Sequence, residues 1–84
     1  MYKYEEQKQR IFTEDGQLLF LKVRDCAESL INMAGCVRAD KIMSRVGGDT
    51  WMIFACIDRL IEIGELREIN QDCMGRHRIF VSGK

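Results

Sequence analysis

The sequence predicts an α+β fold that is mostly α: a three-helix core closed by a C-terminal β-hairpin, with an extra N-terminal segment in front. Three observations predict it. Apolar residues recur at helical spacing from Leu18 to Ala34, from Arg38 to Val46 and from Thr50 to Ile63. Glycines end each stretch, at Gly35, Gly47-Gly48 and Gly64. Two short apolar runs, Glu65 to Ile69 and Arg76 to Val81, then flank a polar loop from Asn70 to Gly75. At 84 residues the chain is long enough for one domain with one modest core. Residues 1–16 divide off as an arm or extra element, and residues 17–84 as the domain proper.

The N-terminal segment is mixed in charge, with Tyr2, Tyr4, Ile11 and Phe12 as its apolar members. Such an arm on a small domain packs on its own core or on a second subunit. Thr13-Glu14-Asp15-Gly16 reads as a helix start or as a hairpin turn, since Asp-Gly favours hairpins between alternating apolar residues. The flanks Arg10-Ile11-Phe12 and Leu18-Leu19-Phe20-Leu21 do not alternate cleanly, which favours a helix beginning near Gln17.

In the first helix, Leu19, Val23, Cys26, Ala27, Leu30, Met33 and Ala34 share one face, opposite Arg24, Asp25, Glu28 and Asn32. Cys36-Val37 is too short for a helix and suits a brief strand. The second helix turns Ala39, Ile42, Met43 and Val46 inward. Asp49 or Thr50 caps the third helix, whose core stripe is Ile53, Ile57 and Leu60. Leu66, Ile69, Ile79, Phe80 and Val81 are the apolar members of the hairpin.

Composition narrows the function. Thirteen basic residues balance thirteen acidic ones, so bulk charge does not draw this chain to polyanions, although local patches remain possible. No apolar run approaches the roughly 20 residues that span a bilayer. The first residues, Met1-Tyr2-Lys3-Tyr4-Glu5-Glu6, form no apolar signal region, so a cytoplasmic protein with no membrane partner is expected. Cys26, Cys36, Cys56 and Cys73 form no C-x-x-C pair, and Cys26 and Cys56 fall on apolar helix faces, where free cysteine acts as a small hydrophobe. Cys73-x-x-x-His77 lacks the second pair that would complete a metal site. No glycine-rich phosphate loop follows a strand. Catalysis, a metal and a cofactor are therefore not expected.

Four features in order carry a resemblance: the apolar first helix followed by Gly35-x-Val37, the short helix ending at Val46-Gly47, the spacing Ile53…Ile57…Leu60 followed by Gly64-x-Leu66, and a hairpin whose second strand begins with Arg76, His77 and Arg78. Across residues 18–82 the chain resembles the winged helix-turn-helix superfamily. The resemblance implies a DNA-binding protein, a small transcriptional regulator working as a homodimer through its added N-terminal element, with the third helix in the major groove and the hairpin on the backbone. On that basis Arg38, Lys41, Arg45, Arg76 and Arg78 would contact phosphates, and Thr50, Trp51 and Arg59 would approach the groove.

The third helix departs from that pattern. Stepping about 100° per residue from Ile53 puts Trp51, Ala55, Asp58, Arg59 and Glu62 on its outward face, with Met52 and Phe54 at the edges. Base edges are read by hydrogen bonds, and the acids repel phosphates. Trp51, Met52 and Phe54 instead have the composition of a protein-binding hot spot. The rival reading is therefore an interaction or dimerisation module centred on those three residues, and the bland reading is a Trp51 folded over the turn onto the second helix.

Overall fold

The computed structural model describes residues 1–70 and 72–84, so part of the predicted 70–75 loop lies outside the described residues. The chain runs α1 (Tyr4–Gln7), a 3-10 turn (Lys8–Phe12), α2 (Glu14–Ala34), β1 (Val37–Arg38), α3 (Ala39–Val46), α4 (Thr50–Glu62), β2 (Leu66–Ile69), a second 3-10 turn (Gly75–His77) and β3 (Ile79–Ser82). It is a mostly helical α+β arrangement. Among the described residues no helix is long and apolar enough to cross a membrane.

α2 begins at Glu14, four residues before its apolar periodicity. Thr13 starts it: the hydroxyl accepts from the Gly16 amide at 3.0 Å, satisfying one of the unpaired donors of a first turn. Glu14 and Asp15 then complement the helix dipole. Gly35 stops α2 in the left-handed conformation (φ 85°), its amide bonded to the Ile31 carbonyl at 2.7 Å. The inward face holds Val23, Ala27 and Leu30. Met33 and Ala34, expected on that face, are exposed (Met33 at 75%), because they border the groove beside β1 and α3 instead of lying under another element.

The three strands form one antiparallel sheet in the order β1-β3-β2. Val37 pairs with Phe80, Arg38 with Ile79, Leu66 with Ser82 and Ile69 with Ile79. This register turns Phe80, Val37 and Leu66 into the core, where they meet Ile42, Ile53, Ile57 and Leu60. The Ala39 amide donates to the Arg78 carbonyl at 2.9 Å, tying the start of α3 to the sheet. Asp49, not Thr50, caps α4, its carboxylate accepting from the amides of Trp51 and Met52.

The N-terminal segment is not a loose arm. Residues 4–12 are helical and pack against α4, and Ile11 is 1% exposed.

Candidate functional site

The outward face of α4 is the surface the sequence singles out, and the N-terminal segment covers it. Tyr2 packs 5.5 Å from the Phe54 ring and edge-on to Trp51 at 6.4 Å, and its hydroxyl donates to Asp58 at 2.6 Å. Tyr4 and Lys8 both donate to Glu62 at 3.0 Å. Arg10 reaches Asp49 at 2.7 Å. Phe12 lies 5.4 Å beneath the Arg59 guanidinium, which is itself bonded to Glu62. The acids that would repel a phosphate are thus matched by hydroxyls and cations from the same chain.

This corrects the exposure expected for the face. Ala55 is fully buried, and Met52 and Phe54 are 6% and 8% exposed. Phe54 joins the central core and also meets Tyr2 of the segment, and residues 4–12 pack against α4 as a further layer. Trp51 is half-exposed and rests on Tyr2. Thr50 is exposed at the start of α4.

Arg78 also departs from expectation. Its guanidinium is 14% exposed and donates to Asp58 at 2.6 Å and to Glu68 at 2.9 Å. Burial alone would lower its pKa, but the bonds to Glu68 and Asp58 outweigh that and hold it above the usual arginine value. A side chain so committed is a structural tie between α4, β2 and β3 rather than an open phosphate contact.

The segment's anchors show in its titration. Burial, reinforced by the hydrogen bond to Asp58, raises the Tyr2 hydroxyl above the usual tyrosine range. The bonds from Lys8, Arg59 and Tyr4 lower Glu62 to about 2. A depressed carboxylate stabilises the fold above its unfolded pKa of about 4.3 and loses that effect as pH falls toward the folded value. The segment is therefore expected to loosen between about pH 4.5 and pH 2, read as a shift in Trp51 emission as Tyr2 departs. Unchanged emission across that window contradicts the anchor.

The remaining cations are distributed unevenly. Among the described residues, Lys22, Lys41, Arg45, Arg67 and Arg76 make no ion pair. Lys22 and Arg45 line a crevice between α2 and α3, and Lys41 and Arg45 line a groove with Arg38. Arg38 binds Asp40 at 2.9 Å and donates to Nδ1 of His77 at 2.9 Å. Arg76 is exposed on the turn that packs against α3. The structure thus gathers Arg38, Lys41 and Arg45 with Lys22, and separates them from Arg59 and Arg78, which are held in networks on α4.

Sequence reasoning missed Lys22, which carries no local signal, and the partners of Asp58 and Glu62. An acidic pair four residues apart with no basic residue of its own opposite Asp58 was the available clue. Among the described residues no group of three His, Cys, Asp or Glu side chains could hold a metal ion. A scan against protein-family models finds no match to this chain, and neither does a search of curated proteins or of solved structures.

Proposed function

We propose that the chain is a winged helix-turn-helix protein that binds duplex DNA through its α2–α3 side, as a small transcriptional regulator. The order helix, strand, helix, helix, strand, strand, with β3 central in the sheet, supports the fold reading. The observation that carries the function is the row of unpaired cations, Lys22, Lys41 and Arg45, continued by Arg38 and bordered by Arg76. Cations with no carboxylate partner are free to neutralise phosphates, and such contacts position a protein without reading sequence.

The covered α4 sets the form of the binding. Thr50 and Trp51 at the open end of α4 are accessible, whereas base reading by the rest of the helix requires displacement of residues 1–12. The interaction-module reading needs the same displacement, because Met52 and Phe54 are already occupied by the chain itself.

Anisotropy titration of a labelled mixed-sequence duplex at several salt concentrations tests the proposal. Affinity is expected to fall steeply with salt, and Lys41→Ala and Arg45→Ala are each expected to flatten the log–log slope by about one. Binding that is absent at low salt, or indifferent to both substitutions, refutes it.

A further inference from the structure

The geometry points to the groove between the end of α2, β1 and α3 as a binding site for a small ligand with an apolar body and one anionic head, an acyl or aryl carboxylate. The cavity is about 480 Å³, within the range of small-molecule sites. Its floor is Leu30 and Val37, both nearly buried, and one wall is Met33. Met33 sits at a core-type position in the helical repeat yet is 75% exposed. A flexible, polarisable thioether chain in that setting adapts to an apolar guest.

The same lining supplies charge. Lys41 and Arg45 are on it with no ion pair among the described residues, Arg38 joins them, and Asp40 is the one acid there. Long basic side chains bury their stems against apolar surface and present their heads at its rim. A monoanion there gains charge-assisted hydrogen bonds while its body covers Met33 and Leu30. Two other apolar cavities offer only a cation that is already paired, and the crevice of Lys22 and Arg45 between α2 and α3 has no methionine on its lining. The one beside Phe12 and Ile63 has Arg59 as its cation, already bound to Glu62. The one beside Phe54 and Met74 has Arg78, already held by two carboxylates.

The consequence for DNA rests on the function proposed above. The anionic head takes up Lys41 and Arg45, so an occupied groove has fewer cations for phosphates, and ligand and duplex compete.

The test uses the full chain with ¹³C-methyl methionine, titrated with decanoate and with 2-naphthoate at concentrations where neither aggregates. The Met33 methyl resonance is expected to move saturably with at least one probe; decanoate alone marks an acyl site and naphthoate alone an aryl site. The variant Lys41→Ala/Arg45→Ala is expected to weaken that probe by about tenfold or more, the loss of charge-assisted contacts. Neutral 1-decanol is expected not to saturate at the same concentrations. Exposed Met33→Ser folds without loss of core packing and should abolish the protection that bound probe gives Cys36, on the groove lining, against iodoacetamide. No saturable movement of Met33, or equal binding of decanol, overturns the site. Met33 moving in a protein that does not bind duplex leaves the site standing and removes the DNA reading; the converse result does the opposite.

Discussion

Gly16→Ala is expected to lift the N-terminal segment off α4. Gly16 is buried in the first turn of α2, where the segment's backbone crosses it. A Cβ there would land on the Arg10 carbonyl oxygen and would lie 2.7 Å from the Ile11 carbonyl oxygen. Both obstacles are backbone, so no side-chain rotation relieves them. Intrinsic helix propensity argues the other way, favouring alanine over glycine by about 1 kcal/mol in a helix interior. The backbone clash outweighs that preference, so the change is expected to be destabilising. Overpacking of this kind costs about 1–3 kcal/mol, and unseating Ile11 from its buried position adds to it. The variant is expected to unfold at lower urea, to show red-shifted Trp51 emission, and to be cleaved by trypsin after Lys8 and Arg10. A variant as stable as the parent with unchanged Trp51 emission would falsify the packing of residues 10–16 described above.

Arg78→Ala is expected to cost stability first and DNA affinity only as a consequence. Removing the guanidinium leaves Asp58 and Glu68, both less than one-fifth exposed, as neighbouring carboxylates without their shared partner. Breaking a largely buried pair costs about 3–5 kcal/mol, and the residual exposure here places the effect at about 3 kcal/mol or somewhat less. Tyr2 still donates to Asp58 but brings no positive charge. Arg78→Lys is expected to recover only part of the loss, because one ammonium cannot reproduce the two-sided fork that reaches both acids. Adding Asp58→Asn and Glu68→Gln to Arg78→Ala is expected to restore much of the stability by removing the unpaired charges. Urea denaturation of the four proteins checks this. If Arg78→Ala unfolds like the parent while duplex binding weakens, Arg78 is a phosphate contact and its structural role is wrong.

The contrast between Arg78 and Arg45 shows where sequence reasoning runs out. Both are arginines at element positions that look outward, and the resemblance implies the same phosphate-contacting role for each. What separates them is a pair of carboxylates from distant positions. Asp58 and Glu68 come to Arg78 from α4 and β2, and nothing of the kind comes to Arg45 among the described residues. Ion pairing between residues 10 and 20 positions apart leaves no local trace in a sequence. Phe54 and Ala55 make the same point for burial. Helical periodicity ranks faces by their distance from one core, and α4 has a second cover, supplied by residues more than 40 positions away.

The local elements were legible because their causes are local. Helical apolar spacing marks α2, α3 and α4, the glycines at 35 and 47 stop the first two, Asp49 is one of two candidate caps for the third, and the short apolar runs after Gly64 mark β2 and β3. The start of α2 was set by Thr13 and by a glycine tolerated for its smallness, a reason visible only once Arg10 lies across it. Which segments become helix and strand, and most of the side chains they turn inward, follow from backbone propensity and from the period of apolar residues, causes that act within each segment; Met33 and Phe54 are where that period misleads. Which charges are paired, that residues 1–12 close over α4, and that Met33 borders an open groove come from the three-dimensional arrangement. Those outcomes depend on which surfaces meet across the fold, and desolvation and pairing are properties of the meeting, not of either partner alone.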